Sequence, residues 1–126
     1  MRESALSKAI RSAFAARGAR PIKYHGGPYS EAGIPDLLVC YRGFFVYIET
    51  KGPGEKPTPI QEARMHDLRQ ACAIGGVAYN VDDAIGFLAE IDCLFQNLEF
   101  KYLRGSLDAL SPTWPNSLKH FLELYT

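Results

Sequence analysis

The clearest pattern in the sequence is a pair of short apolar runs separated by two residues. Leu37 to Tyr41 and Phe44 to Thr50 are rich in β-branched, aromatic and aliphatic side chains, and Arg42-Gly43 lies between them. A two-residue connection that contains glycine is typical of a tight β-hairpin. Apolar residues occupy both faces of the predicted strands, which is typical of strands covered on both sides. The sequence therefore predicts a buried hairpin.

An amphipathic helix is predicted before the hairpin. Residues 3–17 carry apolar residues at helical spacing, and Gly18 ends the pattern. The predicted buried stripe consists of Leu6, Ile10, Ala13 and Phe14. The next residues, 18–34, are rich in glycine, proline and polar side chains, and within them Pro21 to His25 predict a short strand.

After the hairpin the pattern predicts a helix, a strand and another helix, over residues 58–73, 77–81 and 83–91. Gly75 and Gly76 indicate the C-terminal end of the first of these helices. Asp82 or Asp83 can cap the second. A strand, a helix and a strand in this order predict a right-handed crossover back onto the sheet.

The last third of the chain is less regular. Cys93 to Leu103 suits a helix or a strand, residues 111–115 predict a turn, and residues 115–125 look helical. Trp114, in the turn, is expected to be a packing residue. We predict a core over residues 1–91 and a C-terminal extension over residues 92–126, which packs on the core or forms a subunit interface.

Three charged residues at the strand ends interrupt the apolar hairpin. Asp36 precedes the first strand, and Glu49 and Lys51, two residues apart, share one face at the end of the second. Pairing about the turn at 42–43 places position 36 opposite position 49. Two crowded carboxylates repel unless a cation lies between them. Carboxylate oxygens suit a hard divalent ion such as Mg²⁺, so the hairpin predicts a metal site.

These residues also resemble a known family. Pro35-Asp36 followed by Glu49-Thr50-Lys51 resembles the signature of PD-(D/E)xK nucleases. The longer run Gly33 to Leu37, Ile48 to Lys51 and a later Gln61 is similar to the virus-type replication-repair nuclease (VRR-NUC) domain, over roughly residues 1–82. The resemblance implies a restriction-endonuclease-like α/β fold, with a mixed sheet flanked by helices in an α-β-β-β-α-β core and a C-terminal extension.

The resemblance also implies roles for individual residues. The expected catalytic residues are Asp36, Glu49, Lys51, Gln61 and Glu3. The expected ligands of Mg²⁺ or Mn²⁺ are Asp36, Glu49, the backbone carbonyl of Thr50, and Glu3. For two of these residues a structural role is the alternative. Glu3 suits the first turn of a helix because of the helix dipole, and Gln61 completes a capping box with Thr58.

Charge is distributed unevenly along the chain. The 126 residues carry no formal net charge, but residues 1–30 contain six Lys and Arg against Glu3 alone. A locally basic segment beside an acidic metal site is compatible with binding a phosphate backbone. The candidate DNA-binding residues are Lys23, Tyr24, His25 and Lys56. The alternatives are that the tyrosines cover the core and that His25 is an ordinary loop residue.

The function implied by the resemblance is a Mg²⁺- or Mn²⁺-dependent DNA endonuclease. Small members of the family are associated with phages and mobile elements, and with homodimers that act on branched or four-way-junction DNA. A dimer is reasonable because one small domain has a single site, whereas two strands must be cut. The alternatives are a sequence-specific restriction-type enzyme, a non-catalytic DNA-binding or assembly subunit that keeps the fold, and an α/β domain whose charged strand ends are coincidental.

The remaining features of the sequence restrict the setting of such an enzyme. No apolar run approaches membrane-spanning length, so no membrane partner is expected. The three cysteines are widely spaced and favour neither a disulfide framework nor a zinc site. We therefore expect a cytoplasmic protein. The resemblance further implies a bacterial or phage-infected cell and no small-molecule cofactor.

Overall fold

The structure, a computed structural model, describes residues 2–104, and of residues 98–104 it describes the backbone alone. In chain order the elements are α1 (Glu3–Ala16), β1 (Arg20–Lys23), β2 (Leu37–Tyr41), β3 (Phe44–Thr50), α2 (Pro59–Gln70), β4 (Ile74–Ala78) and α3 (Val81–Arg104). This is the predicted α-β-β-β-α-β order followed by one further helix. The predicted α/β fold class is confirmed, and the segment from Cys93 to Leu103 is helical.

A four-stranded mixed sheet holds the fold together, with strand order β1-β2-β3-β4. β1, β2 and β3 pair antiparallel, and β4 pairs with β3 in parallel after the crossover through α2. The hairpin turn has positive φ at both Arg42 (51°) and Gly43 (82°), as a two-residue turn of the primed type requires. Leu37 pairs with Ile48, so the next position places Asp36 across from Glu49, as predicted.

Helix α1 provides much of the core beneath the sheet. It packs on β1 and β3, and Leu6, Ile10 and Phe14 are almost completely buried. Their predicted stripe is confirmed, with Ala13 half-buried beside it. Burying a side chain of this size stabilises the fold by about 1.5–3 kcal/mol. The apolar stripe therefore fixes α1 against the sheet and fixes the position of its first turn.

The boundary between α2 and β4 differs from the prediction. α2 ends at Gln70, Cys72 has a positive φ of 70°, and β4 begins at Ile74. The glycine pair therefore lies inside the strand and does not end the helix. A Cβ on Gly75 would clash with the carbonyl oxygen of Tyr47, and one on Gly76 would lie 3.0 Å from the ring of Phe87. These glycines are required by close contacts with β3 and α3, which local sequence does not reveal.

The start of α3 is capped by a residue that the prediction overlooked. The side chain of Asn80 accepts a hydrogen bond from the Asp83 amide at 2.7 Å, and the Asp83 carboxylate accepts one from the Tyr79 amide at 3.0 Å. Asn80 is therefore the capping residue, and Asp83 assists from inside the first turn. No helix in the described part of the chain is long and apolar enough to cross a membrane.

The chain divides into two compact units between Ala89 and Glu90, within α3. The second unit is largely outside the described residues. The predicted turn at 111–115 with Trp114, and the predicted helix at 115–125, also lie outside them. The division into a core of residues 1–91 and an extension of residues 92–126 therefore stays a prediction.

Candidate active site

Asp36 is fixed between two strands by hydrogen bonds from a single residue. Its Oδ2 accepts a hydrogen bond from the Thr50 amide at 3.0 Å and another from the Thr50 hydroxyl at 2.5 Å. Its Oδ1 lies 3.7 Å from Nζ of Lys23, at the end of β1. Thr50 is 1% exposed, so these contacts are shielded from water. These three contacts therefore hold the Asp36 carboxylate in one orientation.

Glu49 is a buried carboxylate with one oxygen that has no partner. The side chain is 2% exposed. Oε1 accepts a hydrogen bond from Nε2 of Gln61 at 3.3 Å and lies 3.7 Å from Nζ of Lys51. Oε2 is sealed from solvent and has no hydrogen-bond partner within the described residues. An unsatisfied buried carboxylate oxygen is costly, and a cation beside it would offset that cost.

The protonation of Glu49 follows from this setting. Burial raises the pKa of Glu49, the negative charge of Asp36 raises it further, and the nearby Lys51 amine only partly opposes both, which gives a pKa of about 7. A carboxylate with such a pKa lacks a counter-charge of sufficient strength. A divalent cation between Asp36 and Glu49 would supply that charge. The structure therefore places the two acids close to each other, as the hairpin register predicts.

Gln61 serves the helix end and the buried carboxylate at the same time. Its Oε1 accepts a hydrogen bond from the Thr58 amide at 2.9 Å, and its own amide donates to Oγ1 of Thr58 at 3.3 Å. This is a complete capping box. Its Nε2 remains to donate to Glu49. The two roles considered for Gln61 are therefore compatible, because the two ends of one amide fulfil them.

Glu3 reaches the same site from the first turn of α1. Its pKa is raised by desolvation first, then by a hydrogen bond with Glu55 and by the charges of Glu55 and Asp36, while the Lys51 amine lowers it. Helix α1 therefore brings a third acid of the predicted set into the electrostatic field of the hairpin. Glu3 also lies in the first turn of α1, where the helix dipole favours an acid. Its position is therefore compatible with both roles considered for it.

Glu55 is an acidic residue of the site that the sequence reasoning missed. Its carboxylate accepts a hydrogen bond from the Gly52 amide at 3.4 Å, and its amide donates to the Gly52 carbonyl at 3.1 Å. The hydroxyl of Tyr79 donates to the Glu55 carbonyl at 2.8 Å and ties down the loop. The only sequence signal is an acid four residues after Lys51, in a short segment rich in glycine and proline.

The four predicted DNA-binding residues differ in their exposure and in their contacts with Asp36. Lys23 lies at the site beside Asp36. The amide of Tyr24 donates to the Asp36 carbonyl at 2.8 Å, and its side chain is half-buried. His25 and Lys56 are exposed, and neither makes an ion pair or side-chain hydrogen bond with any residue from 2 to 104. Lys23 is thus the one among them that touches a site carboxylate.

Comparisons with known proteins agree on the domain type. No protein-family model matches the sequence, and neither does any curated protein. A solved structure described as a VRR_NUC domain superposes with a TM-score of 0.60 at 26% identity, over 69% of this chain and 94% of that chain. The chain is thus similar to a VRR-NUC domain in both fold and sequence.

A second solved VRR-NUC protein shares the fold. It superposes with a TM-score of 0.54 at 21% identity, over 71% of this chain and 86% of that chain. A Holliday junction resolvase, Hjc of Archaeoglobus fulgidus, reaches a TM-score of 0.48 at 20% identity, over 61% of this chain and 67% of that chain. That superposition is too loose to support an inference about activity. The fold of the two VRR-NUC structures thus covers about 70% of this chain.

Proposed function

We propose that this chain, like the VRR-NUC domain it resembles, is a metal-dependent DNA endonuclease with its active site at Asp36, Glu49 and Lys51. The observation that carries the proposal is the Oε2 of Glu49, which is sealed from solvent, has no hydrogen-bond partner within residues 2–104, and lies close to the carboxylate of Asp36. A buried charge without a partner is expensive and persists where function requires it. The adjacent amine of Lys51, 3.7 Å from the same carboxylate, completes the chemistry of a phosphate-cleaving site.

The donor set fits Mg²⁺ or Mn²⁺. Among residues 2–104, no group of three or more His, Cys, Asp and Glu side chains is arranged to hold a metal ion unaided. Mg²⁺ commonly binds through one or two carboxylates and fills its other positions with water and substrate phosphate. Asp36 and Glu49 would be those two carboxylates, with Glu3 and the Thr50 carbonyl as further candidates. When bound, the ion supplies Lewis-acid polarisation of a phosphate and activation of water.

The residues of the chain divide the remaining work among them. Lys51 stabilises the negative charge that develops on the phosphate, because its ammonium lies next to Glu49 and is largely shielded from water. Thr50 holds Asp36 in place through two hydrogen bonds. Gln61 orients Glu49 by donating to Oε1 and so leaves Oε2 for the cation. These contacts form before substrate binds, as efficient positioning requires.

We propose DNA as the substrate, with Lys23, Tyr24, His25 and Lys56 as contacts near the cleaved phosphate. Branched DNA, including four-way junctions, suits a homodimer in which each protomer cuts one strand. A role in phage or mobile-element replication and repair, in the cytoplasm of the host cell, follows from the same family association. These proposals rest on the VRR-NUC resemblance, and cleavage assays on different DNA substrates test them.

The first experiment compares purified wild-type protein with a Lys51→Ala variant. Labelled linear duplex, single-stranded, flap and four-way-junction DNA are incubated with Mg²⁺, Mn²⁺ or EDTA. We expect cleavage that requires metal and is absent from the variant, and the preferred DNA identifies the substrate. Metal binding by calorimetry without any cleavage would instead favour a non-catalytic binding subunit. Cleavage at one fixed sequence in linear duplex would favour a restriction-type enzyme.

A further inference from the structure

A basic pocket lies between α1 and β1, away from the proposed active site. It has a volume of about 410 Å³, and three cationic side chains line it: Lys8, Arg11 and Arg20. Lys8, Arg11, Ser12 and Ala15 are spaced i, i+3, i+4 and i+7, so they form one stripe along α1. The small side chains of Ala15 and Ala19 leave room at the pocket wall. No acidic side chain in the described chain lines this pocket.

No described residue neutralises the cations of the pocket. Nε of Arg11 is sealed from solvent and has no hydrogen-bond acceptor within residues 2–104. Arg20 donates to the carbonyl of Pro21, at 3.4 Å, and neither Arg20 nor Lys8 makes an ion pair with any described residue. A buried donor without an acceptor costs about 1–3 kcal/mol. Three cationic side chains around a concavity that no described acidic side chain lines indicate an anionic ligand.

The position of the pocket relative to the active site defines which anion it suits. Glu3 and Arg11 are eight residues apart on α1, or about 12 Å along the helix. Lys23, which contacts Asp36, and Arg20 are three residues apart on β1, or about 10 Å along the strand. Both elements therefore lead from the site to the pocket. Phosphates of one DNA strand advance about 3.4 Å along the duplex axis per nucleotide, so this distance is about three nucleotides.

We propose that Lys8, Arg11 and Arg20 form a second phosphate subsite, which binds the DNA backbone about three nucleotides from the cleaved phosphate. The proposal rests on the proposed nuclease function for its substrate. The subsite fixes the register of the strand on the protein, while Asp36, Glu49 and Lys51 perform the chemistry. Contacts to phosphates carry no sequence information, so the subsite suits an enzyme that selects DNA by structure.

Binding measurements test the subsite independently of cleavage. Lys8→Gln, Arg11→Gln, Arg20→Gln and the triple variant are titrated with labelled duplex in EDTA, at several salt concentrations. The matched control is Arg17→Gln, which removes the same charge from an exposed position of the same basic segment outside the pocket. Since one neutralised phosphate contributes about 0.9 to the salt slope, the triple variant should lose about one unit of slope. The Arg17→Gln protein should keep the wild-type slope.

A mapping experiment then places the subsite on the DNA. Single neutral methylphosphonates are introduced along the strand, on either side of the cleaved bond. Wild-type binding should weaken at the substitution about three nucleotides away, and the triple variant should not respond to that substitution. Under saturating DNA the triple variant should cleave at the wild-type rate, because it alters KM and leaves kcat unchanged.

The outcomes separate this proposal from the proposed activity. If no DNA is cleaved, the nuclease proposal fails, yet the salt slopes still report on the pocket. Equal slopes for the triple and Arg17→Gln variants, with both folded by circular dichroism, would overturn the subsite. If Arg11→Gln does not fold, the variants of the exposed residues Lys8 and Arg20 answer the same question. Stabilisation by millimolar inorganic phosphate, with DNA affinity unchanged in all variants, would assign the pocket to a free anion and overturn the DNA proposal.

Discussion

Replacing Glu49 by glutamine should stabilise the metal-free protein at pH 8. The pKa of Glu49 is about 7 in the folded protein, against its ordinary value of 4.5. An acid whose pKa is raised by folding binds its proton more tightly in the folded state. Its contribution to stability is therefore present below pH 4.5 and is lost as the pH rises through 7. Glutamine is neutral at every pH and can keep the hydrogen bond from Gln61 to Oε1.

The size of the effect follows from the two pKa values. At 1.36 kcal/mol for each pKa unit, ionising Glu49 at pH 8 costs the folded state about 3 kcal/mol. At pH 5 the difference between wild type and Glu49→Gln should be about 1 kcal/mol or less. Urea denaturation in EDTA at the two pH values measures this. The matched control is Glu90→Gln, an exposed glutamate, which should behave like wild type at both pH values.

Adding metal should reverse the order of stability. On the proposed function Mg²⁺ would bind the folded wild type, and it would then raise the free energy of unfolding by an amount that grows with concentration. The Glu49→Gln variant lacks one of the two proposed ligands and should gain much less, and it should not cleave DNA. If the variant is no more stable than wild type at pH 8 in EDTA, the ionised Glu49 carboxylate does not destabilise the metal-free fold, and the reasoning is refuted.

Three further predictions follow from individual contacts. Gln61→Ala should lower the free energy of unfolding by about 0.5–2 kcal/mol and should also lower kcat, whereas Thr58→Ala should lower stability alone. Equal kcat values for the two variants in cleavage assays would contradict a role of Gln61 at the site. Gly75→Ala should destabilise by several kcal/mol in thermal melts, because a Cβ there meets the Tyr47 carbonyl, whereas Gly86→Ala, with open space around it, should be neutral or stabilising. Thr50→Val should cost about 1.5–3 kcal/mol in urea denaturation, because Asp36 loses a hydrogen bond; a loss below 0.5 would exclude that contact as an anchor.

The hairpin was predictable because its determinants are local. The lengths of β2 and β3, the positive φ values at Arg42 and Gly43, and the register that brings position 36 opposite 49 all follow from alternation and turn chemistry. The capping box at Thr58 and Gln61 is likewise local, since its two hydrogen bonds join residues three apart. In both cases a single element contained its own physical cause.

Elements that depend on a distant partner were misread or missed. Gly75 and Gly76 looked like a helix end, but the backbone of β3 and the ring of Phe87 require their missing side chains. In the sequence Glu55 lies in a short segment of glycines and prolines. In the structure the Tyr79 hydroxyl holds this loop in place, and the Glu55 side chain contacts Glu3. In both cases the contact crosses more than ten residues of sequence, so no local pattern records it.

The sequence by itself determined the strands that carry the proposed site residues, because hydrophobic period and hairpin register act over a few residues. Only the tertiary structure decided how those residues meet: that Thr50 anchors Asp36, that Oε2 of Glu49 has no partner within residues 2–104, and that Lys8, Arg11 and Arg20 surround one pocket. These arrangements depend on burial and on the packing of α1 and α2 against the sheet, and both are properties of the whole fold.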